Sequence, residues 1–219
     1  MAQPEYQSMS PSDFFYRNRE IAGFSNPSRA TYTAVRELLE NSLDAAESRE
    51  VPPNIFLRIS EVEGQKESET KFYVMRVEDN GTGVPADHIP SAFGQIFYGS
   101  KYELKQARGT FGLGGTMAVL YGQITTHEPV KIESSTGGDI HEFTMNIDIQ
   151  NNRANIFKHN IRQNPTDWRG TSIELQMDGD YSRIMHRLIE YIKQTAMVVP
   201  YADITYIDPR GRLYKYERG

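Results

Sequence analysis

Residues 26–49 read NPSRATYTAVRELLENSLDAAESR and predict one long helix. Asn26 is a favourable N-cap, and Pro27 suits the first helical position because an N–H there would have no intrahelical partner. A period of 3.6 residues separates two faces of this helix. The face expected to pack against a core contains Tyr32, Val35, Leu38, Leu39, Ser42, Leu43 and Ala46. The opposite, polar face contains Glu37, Asn41, Asp44 and Ser48.

The polar face has two interpretations. It could be an ordinary solvated face, as on most amphipathic helices. Alternatively, Glu37 and Asn41 lie about one turn apart and form a site. In that site Glu37 accepts a proton, and Asn41 offers its carbonyl oxygen to a hard cation such as Mg²⁺. The helix alone does not decide between these interpretations.

Composition indicates a soluble globular protein. The 219 residues fit one large domain, with 24% charged and 38% hydrophobic residues. A net charge of -5 provides no overall basic footprint for gripping a nucleic acid. The absence of cysteine excludes disulfides and thiolate metal sites. No apolar run reaches membrane-spanning length, so a soluble, cytoplasmic protein is expected.

Periodicity outside the long helix predicts an α+β fold, a two-layer sandwich with helices on one face of a mixed β-sheet. The predicted strands cover residues 54–62, 71–78, 124–134, 139–149, 154–161 and 171–177, the first two as a hairpin. Further helices are predicted at residues 10–19, 116–121 and 181–198, with a last hairpin around residues 208–211. Residues 79–115 lack periodicity and are rich in glycine, which favours a functional lid.

The segment EDNGTG at residues 78–83 directly follows a predicted strand. Asp79 therefore lies where a strand opens into a tight turn, and the glycines, Gly83 among them, let the backbone approach a ligand. A carboxylate there can accept a hydrogen bond from an exocyclic amine such as that of adenine. An ordinary Asx turn is the alternative. A calcium-binding EF-hand loop is excluded because the twelfth position is Pro90 rather than Glu.

A second glycine-rich segment, GTFGLGGT at residues 109–116, precedes a predicted helix. Backbone N–H groups in such a place can cradle phosphate, and a lid hinge is the equal alternative. It is not a Walker A loop, because the pair Gly115-Thr116 stands where Lys-Ser or Lys-Thr is required and therefore lacks the lysine. Nearby Ser100 and Lys101 could bind a phosphate tail or lie on the surface. Thr171 could donate near a bound base or simply begin a strand.

These motifs, in this order and on these elements, resemble the GHKL ATPase superfamily of gyrase B subunits, MutL proteins, heat-shock ninety chaperones and histidine-kinase catalytic domains. Within it, the chain from about Met9 onward most resembles the B subunits of type IIB DNA topoisomerases. The segments with this resemblance are FF at 14–15, AGF at 22–24, RELLENSLDA at 36–45, YGSK at 98–101 and MAVLY at 117–121.

The resemblance implies a role for each motif. Glu37 would be the general base that activates water, and Asn41 would bind Mg²⁺. Asp79 would bind the adenine amine, directly and through a water shared with Thr171, while Gly83 gives the base room. The residues that would close over the triphosphate of ATP are Ser100, Lys101, Gly109, Thr110, Phe111, Gly112, Leu113, Gly114, Gly115 and Thr116.

The resemblance also implies an assembly. Residues 1–10 would be an arm exchanged in an ATP-dependent homodimer, and residues 11–219 the ATP-binding domain. The dimer would gate DNA strand passage for a DNA-cleaving A subunit. DNA would be held by the holoenzyme rather than by this domain. No membrane would be involved, and the protein would be cytoplasmic and associated with the nucleoid. The transducer domain and its γ-phosphate lysine do not follow in this chain, so weak hydrolysis is expected. The alternative is a nucleotide-operated dimerisation module with little or no hydrolysis.

Overall fold

The long helix has the predicted bounds and caps in the computed structural model, which describes residues 10–65, 71–96 and 113–219. Helix α2 spans Pro27–Ser48, and the Asn26 side chain accepts a hydrogen bond from the Arg29 N–H at 2.9 Å. Helix α1, Pro11–Ala22, begins in the same way, with Ser10 as its N-cap and proline at its first position. Side-chain caps of this kind pair backbone N–H groups that a helix start leaves without partners. Both helix starts are therefore specified locally.

One eight-stranded sheet forms the other layer. Its strands in chain order are β1 (Asn54–Glu61), β2 (Lys71–Glu78), β3 (Val130–Thr136), β4 (Ile140–Asp148), β5 (Arg153–Arg162), β6 (Arg169–Gly179), β7 (Asp203–Ile207) and β8 (Leu213–Tyr216). Their spatial order is β5-β4-β3-β6-β2-β1-β7-β8. β1 and β7 are parallel and the other neighbours are antiparallel, so the sheet is mixed.

Helices α3 (Ile89–Gly94), α4 (Leu113–Thr126) and α5 (Tyr181–Val198) complete the helical layer. Buried and more exposed residues alternate along β1 and β2, as expected when helices cover one face of a sheet. The core between the layers includes Leu38, Leu39, Met75, Leu120 and Leu175, each at most 3% exposed. The predicted two-layer α+β sandwich is confirmed.

Two regions differ from the sequence prediction. Residues 79–115 were expected to lack regular structure, but α3 occupies part of that stretch and α4 begins at Leu113. The strand predicted at residues 124–134 is wrong at its start, because α4 continues through Thr126 and β3 begins at Val130. The Thr125 and Thr126 hydroxyls donate to helix carbonyls one turn back, both at 2.7 Å, which supports this last turn.

The hairpins expected near the start and the end of the chain are confirmed. β1 and β2 pair antiparallel, as do β7 and β8, which flank the predicted turn near Asp208. Long-range pairing then places β6 between β2 and β3. The end of β2 consequently lies beside the start of β6. In the part of the chain that the structure describes, no helix has the length and apolar character needed to cross a bilayer.

Candidate nucleotide-binding site

A cavity of about 390 Å³ lies between α2, the end of β2 and α3. Its lining includes Asn41, Asp79, Gly83 and Thr171, four of the residues singled out from sequence. The opposite wall comes from α3 and the segment before it, including Pro85, His88, Ser91, Ala92 and Phe93. The cavity lies within the size range of small-molecule sites.

Asp79 is the buried carboxylate of this cavity. It is 7% exposed, and its Oδ1 accepts the N–H groups of Gly81 at 2.8 Å and Thr171 at 3.2 Å. Its Oδ2 accepts the Ser42 hydroxyl at 3.2 Å. Burial raises the pKa of Asp79 to about 6, and these hydrogen bonds oppose that rise. Asp79 is thus an acceptor held in place, mostly ionised at neutral pH.

Ser42 was assigned from periodicity to the apolar face of α2. It is buried, but its hydroxyl orients Asp79 rather than filling the core. A polar residue within an apolar stripe is the sequence signal for such a role. Its partner lies 37 positions away, which a helical pattern does not indicate.

Asn41 contributes an amide to the same wall of the cavity. Its Nδ2 atom is buried and has no hydrogen-bond partner among residues 10–65, 71–96 and 113–219. An unpaired buried amide carries a desolvation cost that a bound group can relieve. The two ends of an amide are assigned from their hydrogen bonds, so a half-turn about the side chain presents Oδ1 in the same place.

Glycine at two positions allows backbone segments to meet beneath Asp79. Gly83 has φ 68°, and a Cβ atom there would overlap the Ser135 carbonyl. A Cβ atom on Gly170 would overlap the carbonyl of Asp79 itself. The turn after β2 and the start of β6 therefore approach more closely than side chains would permit.

Three further side chains fasten this turn, and sequence reasoning missed them. Arg49, at the end of α2, donates to the carbonyls of Asn80 at 2.9 Å and Arg169 at 3.3 Å. The Trp168 indole N–H donates to the Asp79 carbonyl at 3.1 Å, and the Arg169 Nε donates to the Thr82 carbonyl at 2.9 Å. Trp168 is the one tryptophan of the chain and precedes Arg169-Gly170, which is the signal that could have found it.

Glu37 lies outside the cavity lining, one helical turn before Asn41. Its Oε1 accepts a hydrogen bond from the Arg36 guanidinium at 2.7 Å, and this bond raises the pKa of Arg36. A Cβ atom on Gly114 would overlap the Glu37 carboxylate, so the first turn of α4 lies directly against it. The structure therefore brings Glu37 together with one glycine of the predicted phosphate segment.

The remaining predicted residues fall into two groups. Leu113, Gly115 and Thr116 belong to the first turn of α4, so this part of the predicted lid is helical; Leu113 is 51% exposed and Thr116 is buried. Ser100, Lys101, Gly109, Thr110, Phe111 and Gly112 lie outside the described residues.

Comparison with known families defines the class. Residues 26–178 match the family described as Histidine kinase-, DNA gyrase B-, and HSP90-like ATPase. The chain belongs to this family, which confirms the GHKL resemblance seen in its motifs.

Curated relatives narrow the similarity. The chain is 42% identical over 219 residues to the B subunit of type 2 DNA topoisomerase 6 from Metallosphaera sedula, covering 99% of this chain and 40% of that protein. It is 40% identical to the protein of the same name from Saccharolobus solfataricus, with 99% and 41% covered. The chain thus spans less than half the length of these relatives.

A solved structure shares the fold. The topoisomerase IV ATP-binding domain of Francisella tularensis, in complex with a small-molecule inhibitor, has a TM-score of 0.57 at 13% identity, covering 94% of each chain. At this identity the likeness concerns the fold alone.

Proposed function

We propose that this chain binds and hydrolyses ATP as the nucleotide-operated part of the B subunit in a type IIB DNA topoisomerase. The observation that carries the proposal is Asp79, a buried carboxylate that three donors hold in the lining of the cavity. The wall beside it presents the Asn41 amide, whose Nδ2 atom has no hydrogen-bond partner within the described part of the chain. The family membership and the similarity to topoisomerase 6 B subunits support the same assignment.

Adenine recognition follows from the acceptors at the cavity end. The Asp79 Oδ2 atom has a lone pair beyond the one used by Ser42, and a carboxylate oxygen there accepts an amine N–H of the base. Burial strengthens this bond because water does not compete with it. Gly83 lines the cavity, and because any Cβ there would collide with the Ser135 carbonyl, only glycine lets this turn lie against β3 beside the proposed base.

Magnesium fits the polar groups next to Asp79. Mg²⁺ is usually held by one or two protein oxygens together with phosphates and water. Asn41 can supply one such oxygen, and no group of three or more His, Cys, Asp or Glu side chains suited to a metal occurs in the described ranges. Asn41 would therefore hold the ion jointly with the nucleotide. When bound, the ion neutralises charge on the phosphates.

Hydrolysis is assigned to Glu37. Its carboxylate is one turn from Asn41 on α2 and lies against Gly114, where the triphosphate is proposed to end. From there it accepts the proton of the attacking water. The ion pair with Arg36 fixes its position.

The alternative is a dimerisation module in which ATP binding alone has the function. The Arg36–Glu37 ion pair is the observation in its favour, since it already occupies the Oε1 atom of that carboxylate. In both cases ATP would join two chains through residues 1–10 and operate a gate for a DNA-cleaving A subunit. DNA would be held by that holoenzyme in the cytoplasm rather than by residues 11–219.

The test is isothermal titration of the chain with a non-hydrolysable ATP analogue and Mg²⁺, with molar mass followed by light scattering. Binding accompanied by a doubling of molar mass is expected. The absence of both binding heat and a mass change would refute the proposal.

Turnover separates the two functions. Glu37→Gln is expected to lower ATP hydrolysis about 100-fold or more while nucleotide affinity stays the same. Glu47→Gln, the same change at an exposed position of α2, is the control and should leave hydrolysis unchanged. Equal hydrolysis by wild type and Glu37→Gln would favour the dimerisation module.

A further inference from the structure

Ser134 in β3 lies directly behind the cavity and is fully buried. It is paired across the sheet with Thr171 of β6, which does line the cavity. Neither the sequence motifs nor the proposed catalytic roles involve Ser134.

The hydroxyl of Ser134 has three neighbours. The Val84 N–H donates to its Oγ at 2.8 Å, the Gly170 carbonyl lies 2.8 Å away, and the Thr171 Oγ1 lies 3.1 Å away. A carbonyl only accepts, so the single hydroxyl hydrogen of Ser134 must point to Gly170. Any other direction would set two unshielded oxygens against each other in a buried place.

This assignment determines the hydrogen of Thr171. The Ser134 Oγ has two lone pairs, and one already accepts the Val84 N–H. The other then accepts the Thr171 hydroxyl, which gives the 3.1 Å contact its direction. The Thr171 hydroxyl hydrogen therefore points to Ser134. Only the lone pairs of Oγ1 face the cavity, so the hydroxyl acts there as an acceptor.

We infer that Ser134 is a positioning residue that makes this end of the cavity select purines with a 6-amino group over purines with a 6-oxo group. The inference rests on the proposed function, which is to bind an adenine nucleotide. Asp79 and Thr171 both present acceptors, and a 6-amino group supplies donors. A 6-oxo group brings another acceptor and meets only repulsion, since Thr171 has no hydrogen to offer it.

The pair of ligands that tests this is ADP and inosine diphosphate (IDP), which differ only in the 6-amino or 6-oxo group and the adjacent N1 hydrogen. Affinities are measured by titration calorimetry at pH 8 for wild type and Ser134→Ala. The variant frees the Thr171 hydroxyl to turn and donate to the 6-oxo group. The ratio of ADP to IDP affinity is expected to fall about tenfold, the value of one recovered hydrogen bond.

Ser135→Ala is the matched control. It removes a buried hydroxyl from the next residue of β3, whose partners are Gly137 and Gly138 in the following turn and the Asn164 amide at 3.3 Å, rather than the cavity. Its ADP to IDP ratio should equal that of wild type. Ser134→Thr keeps a hydroxyl and is expected to retain most of the wild-type ratio.

A double variant separates positioning from general damage to the fold. Thr171→Val lacks the hydroxyl through which Ser134 acts, so adding Ser134→Ala to it should leave the ratio unchanged. Equal losses of ADP and IDP affinity in Ser134→Ala, or the same change of ratio in both backgrounds, would overturn the inference. If Ser134→Ala does not fold, Thr171→Val alone must still lower the ratio, and an unchanged ratio overturns the inference. Failure of wild type to bind ADP would refute the proposed function instead.

Discussion

Replacing Asp79 by Asn should stabilise the ligand-free protein while removing its affinity for ATP. The wild-type carboxylate is 7% exposed, and burial raises its pKa from 3.8 to about 6. A group with a raised pKa in the folded state contributes stability that is complete below its unfolded pKa and is lost as pH rises through the folded one. Above about pH 7 the ionised Asp79 therefore costs about 3 kcal/mol of folding free energy.

Asn mimics the neutral form of Asp79 at every pH. Its carbonyl oxygen can accept the Gly81 and Thr171 N–H groups, and its NH₂ can donate to Ser42 after that hydroxyl turns. The variant should therefore exceed wild type in stability by about 3 kcal/mol at pH 7.5 and by about 1.5 kcal/mol at pH 5. For a chain of this length, 3 kcal/mol corresponds to a rise of roughly 6–12 °C in Tm.

Urea denaturation of both proteins at the two pH values measures this difference, and calorimetric titration with an ATP analogue measures binding. The expected pattern is higher stability, a margin that narrows at pH 5, and loss of binding because the amide NH₂ faces the amine of adenine. A variant less stable than wild type at pH 7.5 would refute the reasoning, since burial of the charge would then not be the dominant effect.

Two glycine substitutions test the packing around the site. Gly114→Ala should lower ATP turnover about tenfold or more by displacing the Glu37 carboxylate, with ADP affinity unchanged and stability not reduced, because Ala favours a helix. Gly138→Ala, which meets nothing within 4 Å, should have no effect on turnover, and equal rates for the two variants would contradict the proposed contact. Gly83→Ala should destabilise the fold by several kcal/mol and weaken ATP binding more than tenfold, whereas Gly64→Ala has a similar φ in open space and should cost only about 1 kcal/mol. Urea denaturation and ADP titration of Gly83→Ala and Gly64→Ala measure these effects, and equal losses of stability and affinity in the two variants would disprove this prediction.

Local signals predicted much of the fold. The caps at Ser10 and Asn26 specify where α1 and α2 begin, and alternation marked the buried positions of β1 and β2. Asp79 was predicted at a strand end because a strand followed by a glycine turn is itself a local pattern. These features need only a few consecutive residues, so one sequence contains them.

The misplaced elements depend on tertiary contacts. α4 includes glycines and ends in the β-branched pair Thr125 and Thr126, a composition that favours turns and strands. It is helical because all of residues 115–122 are buried, with α4 packed against α2 and β6, where Gly122 lies close to the Gln176 carbonyl. α3 has six residues, too few to show a period.

The inner parts of the site were hidden for the same reason. Ser42, Trp168 and Arg49 act on groups 37, 89 and 31 positions away, respectively. Local sequence patterns cover only neighbouring residues, so they do not show which distant groups these side chains contact. The family resemblance predicted a ligand role for Thr171. It gave no role to Ser134, which lies behind Thr171 and contacts its hydroxyl.

The position of β6 has a consequence for how the protein folds. β1–β2 and β3–β4–β5 can pair through short connections, but β6 must enter between β2 and β3 and joins residues about 90 positions apart at Asp79. Contacts between residues so far apart in sequence form slowly, because the intervening chain loses conformational entropy before the new contacts stabilise it. The Asp79 end of the cavity therefore forms only once β6 has paired between β2 and β3. If a nucleotide binds at Asp79 as proposed, it recognises only molecules in which β6 is in place, and its binding measures the fraction of molecules that have folded this far.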